Sequence, residues 1–192
     1  MIRHAEPDYP GGVSMCLGRK YDLPLSANGL KQSRELGNAF SGIELEKVYH
    51  SPLIRAKQTA MGLASGRCPI VELSDFIEMD GGEWDGLTLE QIRSDRYTSM
   101  VPPGGETDES GLSRCLNALE RISLESRGDV AIVGHSGINR ILLCALMNMP
   151  LSQKRSIQQS YACVSILAKQ AGKWRILELS LTLEQWQNRH RN

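Results

Sequence analysis

Short runs of β-branched and aliphatic residues alternate along the chain with longer segments whose apolar residues recur every three or four positions. The strand-like runs cover residues 47–50, 70–73 and 130–133, and the helix-like segments cover 27–40, 52–64, 112–125 and 138–147. Strands that alternate with helices predict an α/β fold with a mostly parallel central sheet. The last helical segment is apolar on nearly every side, which predicts a buried helix.

Other stretches of the chain depart from this alternation. Apolar runs at 163–168 and 174–179 flank a loop containing Gly172 and predict an antiparallel hairpin at the edge of the sheet. Residues 80–109 are rich in glycine, proline and acidic residues and predict an irregular, lid-like insertion. Ser51 before Pro52 predicts an N-cap followed by proline at the first helical position. No repeat or linker divides the sequence, so residues 1–192 are predicted to form a single domain.

Composition narrows the classes of partner. The 22 basic and 22 acidic side chains balance, so the protein has no uniformly positive electrostatic field that would attract nucleic acid or an anionic membrane. The longest apolar stretch, 141–147, is too short for a bilayer helix, and no basic-then-apolar leader begins the chain. The five cysteines match no disulfide or zinc spacing. We therefore expect a cytoplasmic protein that acts on a small molecule, with no nucleic acid or membrane partner.

Four clusters along the chain carry groups suited to phosphoryl chemistry. Arginine matches phosphoryl oxygens with two parallel hydrogen bonds, an imidazole nitrogen can attack phosphorus, and a carboxylic acid can protonate the leaving oxygen. If the clusters meet at one edge of the sheet, they form a pocket for a phosphate monoester. The groups are Arg3 and His4, Arg55 within 51–56, Glu78 ahead of a Gly-Glu-Trp-Asp-Gly run, and His135 within Gly-His-Ser-Gly.

The protonation states that this chemistry needs are physically reasonable. Neighbouring arginines disfavour a second positive charge, which lowers the pKa of His4 and keeps it neutral and nucleophilic. A bound phosphate dianion favours the protonated form of Glu78. We see no cluster of three or four metal ligands with usable spacing and expect neither a metal nor a cofactor. The acidic neighbours Asp75, Asp80, Glu83 and Asp85 remain alternatives to Glu78, and Trp84 is expected to pack in the core or form a pocket wall.

The order of these motifs resembles the histidine phosphatase superfamily, also called the phosphoglycerate mutase-like fold, over nearly the whole chain. The shared features are Arg-His near the start, Ser-Pro-Leu-x-Arg-Ala, Glu followed by Gly-x-Trp-x-Gly, and Val-x-His-x-Gly, with further matches at 18–19, 22–26, 58–60 and 103–107. The resemblance implies a three-layer α/β/α architecture.

The resemblance also implies roles for individual residues. His4 would be phosphorylated transiently, and Arg3, Arg55 and His135 would hold the phosphoryl group. Glu78 would donate the proton, and it is preferred over Glu83 because four residues separate it from Gly82, as in the family motif. Substrate-binding roles extend to a further set: Gly18, Arg19 and Ser136.

The sequence departs from the family pattern near its start. Ala5 stands where the family usually has glycine, and Pro10 stands where it often has an asparagine that contacts phosphate. The family's first strand precedes Arg3, yet only Met1 and Ile2 are present. We therefore expect a truncated first strand and a sheet short of one member, and a slightly longer natural form would be more stable.

Rival interpretations remain beside this one. The run at 133–137 resembles the Gly-x-Ser-x-Gly turn of serine hydrolases, but Ile138 stands at the second glycine and no aspartate follows. A degenerate member could bind a phosphorylated ligand without turnover. Within the family, the compact segment between Glu78 and His135 favours a phosphatase, specific for a small molecule or broad in specificity, over a phosphoglycerate mutase. Residues 158–163 resemble α-ribazole phosphatases, which suggests α-ribazole 5′-phosphate as substrate, and the edge hairpin could support a homodimer.

Overall fold

A computed structural model describes residues 1–94 and 101–189 and contains one six-stranded sheet. In the order β3-β2-β4-β1-β5-β6, the first four strands are parallel neighbours, and β5 runs antiparallel to both β1 and β6. The predicted mostly parallel sheet with an antiparallel edge is confirmed. The strands are β1 Ile2–Arg3, β2 Lys47–His50, β3 Ile70–Glu72, β4 Val130–Gly134, β5 Val164–Gln170 and β6 Lys173–Leu181.

Six helices accompany the sheet in the described residues. The four predicted helices are present, whereas α3 and α6 are one to two turns long and too short to show a clear apolar period. The helices are α1 Ala27–Ala39, α2 Ile54–Ala64, α3 Leu89–Ser94, α4 Asp108–Glu125, α5 Ser136–Leu146 and α6 Leu183–Arg189.

Two predicted helix starts differ from the observed ones. Helix α4 begins four residues before position 112, because the Thr107 hydroxyl accepts a hydrogen bond from the Ser110 amide at 3.2 Å. The prediction that Ser51 caps α2 is wrong, since Leu53 is the N-cap residue. The Ser51 hydroxyl accepts a bond from the Leu53 amide and also contacts a histidine described below.

The two faces of the sheet bury separate apolar clusters, which makes the molecule a three-layer α/β/α sandwich. Successive residues of a strand point to opposite faces. Val48 packs on one face with residues of α1, α2 and α6. Tyr49 packs on the other face with residues of α4 and α5. As predicted, α5 is largely buried.

Strand β1 is short, but it completes the centre of the sheet. Ile2 is in register with Val133 of β4 and Val164 of β5 and is almost fully buried. The Arg3 and His4 amides donate to carbonyls of the two neighbouring chain segments, at 3.1 and 2.9 Å. The expectation that the sheet lacks a member is therefore wrong, because neighbours on both sides supply backbone partners even to two residues.

The predicted insertion at 80–109 lies partly outside the described residues, which omit 95–100. Its described parts contain a short 3-10 helix, Gly82–Trp84, and α3. Gly82 has a φ of +53°, and a Cβ there would lie 2.1 Å from the Pro103 carbonyl oxygen, so this close approach requires glycine. No helix within the described ranges is long and apolar enough to cross a membrane.

Candidate active site

Two histidines meet at the carboxyl end of the parallel strands. His4 directly follows β1, and His135 directly follows β4 and is the N-cap residue of α5. Because Arg3 is in register with Gly134, the two imidazole rings lie side by side, with centroids 5.0 Å apart. The strand pairing therefore brings together residues separated by most of the chain.

His4 is held in one tautomer by its own backbone. Its Nδ1 lies 2.7 Å from the Ala5 carbonyl oxygen, which can only accept, so Nδ1 carries the proton and Nε2 keeps its lone pair. Burial lowers the pKa of His4 well below its usual value, and the Arg55 and Arg3 guanidinium groups lower it further. The ring is therefore a neutral imidazole with an unprotonated Nε2.

His135 is anchored through the other ring nitrogen. Its Nε2 lies 2.7 Å from the hydroxyl oxygen of Ser51, at the end of β2, while its buried Nδ1 has no partner among the described residues. Burial, followed by the charge of Arg55 and the proximity of His4, lowers the pKa of His135 well below its usual value. A ligand atom next to Nδ1 would satisfy a polar group that is otherwise costly to bury.

Two arginines surround the histidines and are fixed by backbone carbonyls. Arg55 is fully buried and donates to the carbonyls of Tyr21 and Gly18 at 3.0 and 3.1 Å. Arg3 donates to the Gln159 carbonyl, and its guanidinium lies 4.0 Å from the centre of the Tyr161 ring. The Nε atoms of both arginines are buried without a partner in the described parts of the chain. This leaves N–H groups available for an anion.

Glu78 places its carboxylate at the first turn of α5. Its Oε2 accepts one bond from the Gly137 amide, and its Oε1 accepts from the amides of Ile138 and Met79, at 2.8 to 3.0 Å. A Cβ at position 137 would lie 2.6 Å from Oε1, so glycine allows this approach. The Arg19 Nε donates to the Glu78 carbonyl at 2.9 Å and steadies the backbone.

The other acidic candidates are engaged elsewhere. Asp75 forms an ion pair with Arg121, and Glu83 is exposed. The Asp85 carboxylate accepts bonds from the amides of residues 18 and 20. Asp80 shares the pocket with Glu78, but its Oδ1 accepts from the Gly82 amide. Among these five side chains, Glu78 is the one bonded to the helix that His135 begins.

The site contains a pocket of about 480 Å³. Arg55 and His135 lie behind its wall and are fully buried. The guanidinium of Arg19 is turned to Glu106 and to the Glu78 backbone. The other predicted site residues line the pocket, as does Trp84: Arg3, His4, Gly18, Glu78 and Ser136.

A second cavity, of about 500 Å³, lies at the opposite end of the strands. Apolar side chains such as Phe40, Leu119 and Trp186 form most of its wall, and no histidine, lysine or arginine lines it. In the described ranges, no group of three His, Cys, Asp or Glu residues could hold a metal ion. The groups suited to phosphoryl chemistry therefore lie at the carboxyl end of the strands.

Sequence reasoning missed several residues that shape the site. Ser51 could have been found, because it follows β2 just as His135 follows the neighbouring strand β4. Asp85 acts indirectly, since it holds Gly18, whose carbonyl orients Arg55. Only tertiary folding brings Tyr161 to the pocket, because it precedes β5 on the reversed part of the sheet.

Two buried histidines with two arginines at the carboxyl end of a parallel sheet form an arrangement suited to binding a phosphate ester. Residues 1–182 match the histidine phosphatase superfamily, branch 1, and the chain belongs to this family. The three relatives described below are phosphatases, and the chain is a phosphatase of the same family.

Three relatives illustrate the range of substrates in the family. The phosphatase PhoE of Bacillus subtilis is 32% identical over 94% of this chain and 93% of its own length. Phosphoserine phosphatase 1 of Hydrogenobacter thermophilus is 29% identical over 95% of this chain and 91% of its own. The adenosylcobalamin/α-ribazole phosphatase of Escherichia coli is 24% identical over 87% of each chain. The second and third of these relatives are named for different substrates, and the first for none.

Proposed function

We propose that the protein hydrolyses phosphate monoesters of small metabolites without a metal, through a phosphohistidine intermediate at His4. The observation that carries the proposal is the orientation of that ring. Its Nδ1 is fixed by the Ala5 carbonyl, so Nε2 is left as a nucleophile, and the charges of two nearby arginines keep the ring neutral.

In the first step, a bond forms between His4 Nε2 and phosphorus as the bond from phosphorus to the ester oxygen breaks. Glu78 transfers a proton to that oxygen, and the alcohol leaves. The proton is best placed on Oε2, which accepts a single backbone bond and has a second lone pair. Arg3 and Arg55 donate to the phosphoryl oxygens as charge moves.

His135 supports the same step as a donor. Because the ring is neutral, Nδ1 can carry a proton and donate to a phosphoryl oxygen only if Nε2 is unprotonated. The Ser51 hydroxyl supports that tautomer by donating to Nε2. We therefore assign His135 the role of a neutral hydrogen-bond donor and Ser51 the role of a positioning residue.

In the second step, water attacks the phosphorus of phosphohistidine. The Glu78 carboxylate takes the proton from this water, the bond between phosphorus and Nε2 breaks, and inorganic phosphate leaves. Both residues return to their starting states. The same carboxyl group therefore serves as acid in one half of the cycle and base in the other.

The identity of the alcohol is a separate proposal. The α-ribazole phosphatase relative supports α-ribazole 5′-phosphate as a candidate, as does the segment at 158–163, which supplies Gln159 and Tyr161 to the Arg3 side chain. A mutase is disfavoured by the compact segment between Glu78 and His135. A protein that binds without turnover is disfavoured because Arg3, His4 and Glu78 line one pocket, with Arg55 and His135 buried beside them.

The test is a chelator-treated assay of the purified chain. The panel contains p-nitrophenyl phosphate, α-ribazole 5′-phosphate and 3-phosphoglycerate with its bisphosphate primer, and both released phosphate and mutase product are followed. We expect phosphate release that persists with chelator and disappears in His4→Ala. Isomerisation without phosphate release would identify a mutase instead, and activity that requires added metal would contradict the proposal.

A further inference from the structure

Two tyrosines from distant parts of the chain meet on the wall of the pocket. Tyr9 lies in the segment after β1, Tyr161 lies shortly before β5, and both line the pocket that His4 also lines. Their hydroxyl oxygens are 3.0 Å apart, which is a hydrogen-bond distance. The hydroxyl pair therefore joins the two segments within the candidate active site.

The Tyr161 ring contacts two groups of the site. Its centroid lies 5.9 Å from the centroid of the His4 ring, and the Arg3 guanidinium lies over its face at 4.0 Å. Backbone bonds fix this placement, because the Ala162 amide donates to the His4 carbonyl at 3.3 Å and the Arg3 amide donates to the Cys163 carbonyl at 3.1 Å. A phosphoryl group that Arg3 holds against His4 would therefore lie next to the Tyr161 ring.

The hydroxyl pair has one proton more than its own hydrogen bond requires. Each tyrosine hydroxyl can donate one hydrogen bond and can also accept. Among the described residues, the bond between Tyr9 and Tyr161 is the one hydrogen bond that either side chain makes. Burial raises the pKa of Tyr9 above its ordinary value, and the hydrogen bond with Tyr161 raises it further. Tyr9 therefore keeps its proton and can donate to Tyr161, which leaves the Tyr161 proton for a ligand.

We propose that Tyr161, oriented by Tyr9, donates a hydrogen bond to a non-bridging oxygen of the substrate's phosphoryl group. This inference rests on the proposed function, because it takes His4 and Arg3 as the site of the reacting phosphate. The donation from Tyr9 polarises the Tyr161 hydroxyl and makes it a stronger donor. Because the acceptor belongs to the phosphate, the contact is the same for every ester, whatever its alcohol.

Binding of inorganic phosphate tests the contact without turnover. Calorimetric titration should show a Kd roughly ten- to hundredfold higher for Tyr161→Phe than for wild type, because a hydrogen bond to a charged acceptor is lost. Phenylalanine retains a ring under the Arg3 guanidinium, so the change reports the hydroxyl alone. The matched control is Tyr49→Phe, in the core outside the pocket, which should bind phosphate as wild type does. An unchanged Kd in Tyr161→Phe would overturn the proposal.

The effect of Tyr9 should be smaller and should depend on Tyr161. Tyr9→Phe should raise the Kd for phosphate about threefold, because Tyr161 can still donate but loses the partner that orients and polarises it. In a Tyr161→Phe background the same substitution should have almost no further effect, which a double-mutant cycle measures. Additive losses, or a larger loss in Tyr9→Phe than in Tyr161→Phe, would contradict the proposed order of the two hydroxyls.

Kinetics with two esters show which half of the substrate the hydroxyl contacts. Tyr161→Phe should lower kcat/KM by a similar factor for p-nitrophenyl phosphate and for 3-phosphoglycerate, because both carry the same phosphoryl group. A loss confined to one ester, with inorganic phosphate bound as tightly as by wild type, would place the contact on the alcohol and overturn the proposal.

The binding and kinetic measurements together separate failure of this contact from failure of the proposed function. Weaker phosphate binding in Tyr161→Phe would support the contact even if the wild-type chain hydrolysed no ester, an outcome that would refute the phosphatase proposal alone. Hydrolysis by the wild-type chain, with the same phosphate affinity in wild type and Tyr161→Phe, would refute the Tyr161 contact alone.

Discussion

His4 and His135 follow adjacent parallel strands and are both buried, yet they are anchored through opposite ring nitrogens. A carbonyl of its own backbone accepts from His4 Nδ1, which leaves a lone pair on Nε2. The Ser51 hydroxyl at the end of β2 holds His135 Nε2, which leaves Nδ1 for a ligand. The strand ends place the two rings, and the partner of each ring decides which nitrogen is left unprotonated and which can donate to a ligand.

The largest expected difference concerns the two histidines themselves. Replacing His135 by alanine removes one donor to the phosphoryl oxygens, which should lower kcat about 10²- to 10³-fold. The nucleophile remains, so phosphoenzyme should still form, only more slowly. Rapid-quench measurements with phosphorus-labelled ester would follow the bound label. If His135→Ala lost the label entirely while His4→Ala kept it, the two assignments would have to be exchanged.

The dependence of the rate on the leaving group distinguishes the proposed role of Glu78 from the roles of the two histidines. Glu78→Gln cannot supply a proton, so hydrolysis of an alkyl phosphate should fall about 10²- to 10³-fold, whereas an aryl phosphate, whose phenolate leaves easily, should lose much less. Glu83→Gln serves as the matched control, because that side chain is exposed. Equal losses on both esters would count against Glu78 as the general acid.

Substitution of Ser51 should have a smaller effect on kcat, and one that acts through His135 alone. Ser51→Ala should lower kcat roughly tenfold, because the His135 ring loses the bond that fixes its tautomer. The same substitution in a His135→Ala background should have almost no further effect, and this non-additivity is measured with a double-mutant cycle. Additive losses would show that Ser51 acts through another group.

The smallest expected effect is on the pH dependence of stability, which tests the lowered pKa that both histidines share. Both have a pKa that burial lowers well below 6.5, so the unfolded chain binds more protons than the native one as the pH falls from 6.5 toward the native pKa values. Stability should therefore decrease on acidification in that window, by up to about 1.4 kcal/mol per pH unit for each histidine. Denaturant unfolding between pH 7 and 5 should show a shallower decrease for His4→Gln than for wild type. An identical slope would mean that His4 does not titrate differently in the folded chain.

Much of this arrangement could be predicted because it depends on local sequence. Periodicity located β2, β4 and the helices around them, and the order of the motifs placed Arg55, Glu78 and His135 in one group. What could not be predicted depends on contacts between distant segments. Strand β1 exists because β4 and β5 both pair with Ile2, and that requires the whole sheet.

The hydrogen-bond partners of side chains could not be predicted for the same reason. The sequence places Arg19 near the pocket, but only the folded chain shows its guanidinium bonded to Glu106 and the Glu78 backbone. The Asp85 carboxylate accepts a hydrogen bond from the Gly18 amide, 67 positions away in the chain, and the spacing of motifs does not reveal this contact. Tertiary hydrogen bonds of this kind decide which polar groups are left free for a substrate.

The most direct test of the account is to locate the covalent phosphoryl group. The wild-type chain would be mixed with a fast ester, quenched in alkali, which preserves phosphohistidine, and digested for mass spectrometry. We predict phosphate on Nε2 of His4 alone, present in His135→Ala and absent in His4→Ala. Turnover without any labelled histidine, or a label on His135, would contradict it.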